Sequence, residues 1–117
     1  MICYDLRFPV FSRNNDNYDL LLYVANWPEP RVAAWDALLK ARAIENMAFV
    51  IGANRVGNDA NGHHYVGHSQ VFDALGAGLL NQSEADEVMT VELNKNALLE
   101  ARQKFGFLND RDQFTVV

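Results

Sequence analysis

Tyr18-Asp19-Leu20-Leu21-Leu22-Tyr23-Val24-Ala25 decides the fold class. It is a short, nearly continuous apolar run, and a strand buried on both faces fits it best. It ends at Asn26-Trp27-Pro28-Glu29-Pro30, where the prolines suit the start of a helix and not its interior. The period then changes. Across 31–47, Val32, Trp35, Leu38, Leu39, Arg42 and Ile44 recur at helical spacing. Asp36 and Lys40 make an i,i+4 pair on the outer face of that helix. Ala48 to Val56 predicts the next strand.

The reading extends in both directions. Upstream, Met1 to Tyr4 reads as the end of a strand with almost no room for its beginning. Phe8 to Phe11 carries a proline suited to a first helical turn, and 12–17 is loop chemistry. Downstream, Gly57 to Gly62 is a turn containing Asn61-Gly62, and His63 to Ala74 predicts a strand. Gly76-Ala77-Gly78 turns again, and Val88 to Leu93 alternates as a half-exposed strand would. Asn94 is a candidate cap for a helix over Lys95 to Phe105, and the tail from Phe107 has no clear period. The order of elements is α/β or α+β, with helices available to cover one side of a sheet. A closed domain should not begin inside a buried strand, so residues 1–117 are expected to be the C-terminal portion of a larger single domain.

Composition narrows the function classes. Half of the 117 residues are hydrophobic and 21% are charged, which excludes a disordered or low-complexity chain. The net charge of −5 argues against a general nucleic-acid or anionic-membrane surface. No apolar run approaches the ~18–20 residues that span a bilayer. The single cysteine, Cys3, excludes an internal disulfide and a multi-cysteine zinc site. Together these predict a reducing, cytoplasmic setting.

Cys3 is the candidate nucleophile. A thiol at a strand end can be presented at a sheet edge, with the next backbone N–H groups near enough to stabilise an oxyanion. An ordinary buried free cysteine accounts for the same spacing, and on spacing alone is the commoner case. The histidines His63, His64 and His68 lie far off in sequence, so a Cys–His dyad is weakly supported. As strand residues, His64 and His68 would stand roughly 13 Å apart, too far for one metal ion. No metal and no cofactor is expected, and Gly76-Ala77-Gly78 lacks the following helix of a dinucleotide fingerprint. Arg42 and Glu45 interrupt the apolar helix face. They form either a surface i,i+3 pair or a partly buried pair that locks the helix to a partner subunit or to the loop after Cys3.

Several motifs in order carry a resemblance. Cys3-Tyr4-Asp5-Leu6-Arg7-Phe8-Pro9 resembles the nucleophile segment of the nitrilase superfamily of carbon–nitrogen hydrolases. Tyr18 to Leu22, Ala25-Asn26-Trp27-Pro28, Trp35, Lys40 to Asn46, Asn54-Arg55-Val56-Gly57, Tyr65 to Ser69 and Leu108 to Asp112 continue it across essentially the whole chain. The wording is most similar to the ω-amidase branch, which removes ammonia from 2-oxoglutaramate or 2-oxosuccinamate. A deaminated-glutathione amidase is the related alternative, and a non-catalytic remnant the alternative outside enzymology.

The resemblance implies a four-layer αββα sandwich, of which this chain would be the C-terminal part, and a homodimer with Arg42 and Glu45 at its interface. It implies Cys3 as nucleophile, the Tyr4 backbone N–H as oxyanion donor, and Arg7, Asn26 and Trp27 about the substrate pocket. It also implies a catalytic Glu and Lys ahead of the cysteine, where only two residues stand here. Residues 1–117 alone are therefore expected to be inactive and poorly folded, with one apolar face of the 18–25 strand uncovered.

Overall fold

The computed structural model describes all residues from Met1 to Val117. Strand β1 (Leu20–Ala25) leads through a one-turn 3-10 segment, Glu29–Arg31, into helix α1 (Val32–Asn46). The chain then returns as strand β2 (Phe49–Asn54), parallel to β1, with Leu20 opposite Phe49 and Ala25 opposite Asn54. Strand β3 (Val56–Asn58) pairs antiparallel with β4 (His64–Val66), forming a separate hairpin. Strand β5 (Gln70–Phe72) joins the far side of β2 antiparallel, so the main sheet runs β1-β2-β5. Helix α2 (Lys95–Phe105) follows a long irregular stretch, and a 3-10 turn at Phe107–Asp110 leads into the tail.

Helix α1 covers one face of the sheet because its apolar stripe matches the inward-pointing residues of the strands. Trp35, Leu39 and Ala43 pack with Tyr23, Val50 and Phe72 in the main core, which Leu6 and Trp27 complete. Gly52 lets the helix approach the sheet: a Cβ there would meet Leu39, and Trp35 Cζ2 at 2.8 Å. Met47, with φ +44, ends α1 in the left-handed cap that turns the chain back into β2. A second, smaller cluster of Met47, Phe49, Ala74 and Leu98 seats α2. As expected, Asn94 caps α2, accepting from the Ala97 N–H at 3.1 Å, and Gly106 terminates it at φ +63. No helix is long and apolar enough to cross a membrane.

Four strand expectations need correction. Met1 to Tyr4 supplies only a single parallel bridge, Ile2 to Val24, and the chain coils into a 3-10 turn from Cys3 to Arg7. The run 48–56 is two strands in two sheets, divided at Arg55. The run 63–74 is likewise two strands, because Gly67 and His68 both take positive φ and re-aim the chain. Residues 88–93 form no ladder. Their side chains still alternate, with Met89, Val91 and Leu93 partly covered and Val88, Thr90 and Glu92 exposed. The period recorded the apolar side of an extended segment, while a strand also needs a neighbouring backbone to bond.

Candidate active site

Cys3 is the first residue of its 3-10 turn and has φ +40, a conformation that side chains other than glycine adopt at a cost. Three interactions hold it there. The Asp5 carboxylate accepts from the Ile2 N–H at 2.9 Å and caps the turn. Met1 and Ile2 dock beside β1, where the Val24 N–H donates to the Met1 carbonyl. The buried Arg42 guanidinium donates to the Leu6 carbonyl and, at 3.0 Å, to Glu45. Of the two partners considered for the Arg42–Glu45 pair, Arg42 therefore reaches the loop after Cys3.

The turn's first internal bond runs from the Asp5 N–H to the Ile2 carbonyl, 3.0 Å. The Tyr4 N–H, one residue earlier, is left over, as first-turn amides are. Tyr4 is 65% exposed, with its ring edge-on to Phe8.

The thiol is half-buried at the edge of a cleft of about 190 Å³. Its Sγ lies 3.9 Å from the Asn26 carbonyl. Trp27 forms the opposite wall, held by its indole N–H on the Arg31 carbonyl at 2.7 Å and by contact with the Trp35 ring. The Arg7 guanidinium stacks over the Trp27 ring at 4.9 Å. Cys3, Tyr4, Arg7, Asn26 and Trp27, singled out from the sequence, thus meet around one cleft although β1 separates them along the chain.

Two residues there had no assigned role. Arg31 also lines the cleft. Asn54, at the end of β2, brackets the Trp27 peptide: its Oδ1 accepts from the Trp27 N–H at 2.7 Å, and its Nδ2 donates to the Trp27 and Gly67 carbonyls. Asn54 lies inside one of the matched motifs, which was the available signal. Arg31 lies just beyond Asn26-Trp27-Pro28, and its spacing carried no signal of its own.

The histidines do not converge on Cys3. His64 Nδ1 lies 2.8 Å from Asn58 Oδ1 on the hairpin, and His68 Nδ1 lies 3.1 Å from Asp36 on α1. No group of three or more metal-ligating side chains comes together. Asp59, in the hairpin turn, has its acidity strengthened by the backbone N–H of His63; its bond to the Tyr65 hydroxyl raises the pKa of that phenol.

A thiol on a positive-φ turn, beside a leftover amide and in a cleft lined by Trp27, has the groups that nucleophilic chemistry at an acyl carbon requires. The carbon-nitrogen hydrolase family matches residues 1–103, and the chain belongs to that family. It is 53% identical to the omega-amidase YafV of Escherichia coli K12 over 97% of this chain and 45% of the relative. It is 40% identical to a 2-oxoglutaramate amidase of Paenarthrobacter nicotinovorans, over 93% of this chain and 37% of the relative. Among solved structures, XC1258 of Xanthomonas campestris, a CN-hydrolase superfamily protein with an arsenic adduct in its active site, superposes with a TM-score of 0.96 at 46% identity. That match covers all of this chain and 47% of the other. The chain thus spans about half the length of the relatives it matches.

Proposed function

We propose that this chain is the cysteine-bearing part of an ω-amidase, hydrolysing 2-oxoglutaramate or 2-oxosuccinamate to the 2-oxo diacid and ammonia. The observation that carries the reading is the position of Cys3: the chain's one thiol, on a left-handed turn, at the edge of the Arg7–Trp27 cleft. The arsenic adduct in the Xanthomonas relative's active site is consistent with a thiol at that place, since arsenic is thiophilic.

In this reading Cys3 Sγ attacks the amide carbon. A new S–C bond forms, and the carbonyl electrons move to oxygen, where the Tyr4 N–H donates. The C–N bond then breaks, and ammonia leaves with the proton that began on the thiol. Water attacks the thioester, a C–O bond replaces C–S, and the acid departs with Cys3 restored. The Glu and Lys that the resemblance places ahead of the cysteine would carry the proton and brace the oxyanion, from outside these 117 residues. The second sheet of the sandwich would lie on the strip of β1 that α1 does not cover.

The whole protein is proposed to be a cytoplasmic homodimer taking a small-molecule amide and binding neither nucleic acid nor membrane. Glu45, the exposed end of the Arg42 pair, and the exposed Tyr4, Phe8 and Phe11 in the segment after Cys3 support an interface there.

The test is ammonia release by the full-length gene product. Cys3→Ala is expected to remove turnover of 2-oxoglutaramate while the melting temperature stays within a few degrees. Full retention of turnover would sink the assignment. Faster turnover of deaminated glutathione than of 2-oxoglutaramate would move the protein to the related branch.

A further inference from the structure

A cavity of about 320 Å³ opens where the loop after Pro9, the C-terminal end of α1 and the tail meet, and two arginines, Arg13 and Arg111, line it. The chain pairs Arg42 with Glu45 and Arg102 with Asp19, while Arg13 and Arg111 meet no carboxylate. Arg111 donates to the Asn14 carbonyl and the Asn17 side-chain oxygen, and Arg13 Nη2 donates to the Asp112 carbonyl at 3.2 Å. Bracing the tail in this way accounts for Arg111. It leaves Arg13 Nε, which is buried and has no partner. An unpaired buried donor is costly, more so on a charged group. The Arg13 guanidinium lies over the Phe114 ring, 5.1 Å from its centroid, which fixes its plane. Asn14 and Asn46 on the cavity wall are bonded to each other, the Asn14 N–H and Nδ2 donating to the Asn46 Oδ1 and carbonyl at 2.8 and 2.9 Å. The one carboxylate that lines the cavity, Glu45, is already paired with Arg42 at 3.0 Å, so two cations there stand unmatched.

We propose that this cavity binds an oxyanion, a carboxylate or phosphate group, between Arg13 and Arg111. It shares no lining residue with the cleft that holds Cys3, and binding there is independent of how Cys3 reacts. A guanidinium held against an aromatic ring keeps its N–H donors in one plane, the geometry that meets the paired oxygens of a carboxylate or phosphate. Glu45 is the one lining group whose charge opposes an anion, so its removal has a definite sign.

The experiment is titration calorimetry of the full-length gene product with inorganic phosphate and with succinate, at constant ionic strength. Saturable binding is expected, and the tighter of the two probes names the group. Arg13→Gln should weaken it roughly 10- to 100-fold, the weight of a lost charge-assisted bond, while kcat/KM for 2-oxoglutaramate stays within about two-fold. Glu45→Gln should tighten it several-fold. Binding of neither probe, binding that Arg13→Gln leaves unchanged, or binding that Glu45→Gln weakens would each overturn the proposal. Succinate that only competes with 2-oxoglutaramate, and does so equally in Arg13→Gln, occupies the Cys3 cleft and also overturns it.

One measurement avoids relying on these variants folding. In crystals of the unaltered protein soaked with tungstate, a heavy tetrahedral oxyanion, anomalous density is expected between the Arg13 and Arg111 guanidiniums. Tungstate seated only elsewhere, or nowhere, refutes the site. Retained turnover in Cys3→Ala refutes the nucleophile instead, so the two failures are distinct.

Discussion

The two faces of the β1-β2-β5 sheet are built from the same kinds of residue and have different fates. On the face toward α1, Tyr23 and Val50 are 1% and 0% exposed, beneath Trp35 and Leu39 at 0%. On the other face of β1, Leu20, Leu22 and Val24 are 39%, 52% and 55% exposed, with Ile2 beyond them. Only part of that second face is covered: Leu98 of α2 reaches Phe49, and Met89 and Val91 lie across Ile51 and Val71. Buried Tyr23 and exposed Leu20, Leu22 and Val24 all come from the single run 20–25 by strand alternation. The lesson is that an apolar run specifies a strand able to be buried twice, while the covering of each face depends on distant segments. The exposed strip along β1 matches the expectation that one face of this strand would be left uncovered. Contiguous apolar surface of this kind is an aggregation hazard.

The contrast breaks most readily at its buried side. Leu39→Ala removes a fully buried side chain between α1 and the sheet and should cost about 2–5 kcal/mol. Leu22→Ser, on the uncovered strip, should shift stability by less than ~0.5 kcal/mol in residues 1–117 and increase solubility. Chemical denaturation and solubility of the two variants measure this, and equal destabilisation would show that both faces are covered in solution.

A smaller effect is expected at the approach of helix to strand. Gly52→Ala would place a methyl against Leu39 and Trp35, and should cost roughly 1–3 kcal/mol by overpacking. Ala53→Val, one residue on and pointing to the other face, should be tolerated within ~0.5 kcal/mol. A shift in thermal melting confined to Gly52→Ala would sharpen the distinction.

The smallest effect concerns the polar tether of α2. Asp19, at the head of β1, pairs with Lys95 at 2.9 Å and with Arg102 at 2.9 Å. Arg102 also donates to the Tyr18 and Met47 carbonyls. The Lys95 bond, with the Arg102 charge beside it, holds the Asp19 carboxyl below the usual aspartate range. A carboxyl whose pKa is lower folded than unfolded contributes stability in full above the unfolded value of about 3.9, and loses it as pH falls through the lower, folded value. Melting of the unaltered chain and of Asp19→Asn, followed from pH 7 downward, should therefore differ modestly at pH 7 and converge in strong acid. Curves that stay parallel throughout would remove Asp19 from the account of how α2 is held.

Much of the scaffold could be read in advance. The spans of β1, α1 and α2 emerge within about two residues of their expected ends because each carries its own period and end signals: Pro28 and Pro30 before α1, Asn94 and Gly106 around α2. The strand divisions at Arg55 and at Gly67-His68 could not, since an apolar run has no mark for the sheet in which each half pairs. For the site, Cys3, Arg7, Asn26 and Trp27 were legible as residues of matched motifs. The place of Arg31 in the cleft and the bracketing role of Asn54 were not, because Cys3 and Arg7 lie across β1 from Arg31, and Trp27 lies across α1 from Asn54.

By itself, the sequence determined the α/β class, the periodic elements, the one available thiol and the family, since these depend on residue types and short spacings. Tertiary structure alone decided the rest. Residue 42 holds the loop at residue 6, the Asn54 amide fixes the Trp27 peptide, and Arg102 ties α2 to Asp19, 83 positions away. It also set Arg7 and Arg31 at the cleft that holds Cys3. The physical reason is range. Backbone propensity and side-chain period act over a few residues, whereas hydrogen-bond satisfaction, face burial and local charge depend on segments that meet only when the chain folds.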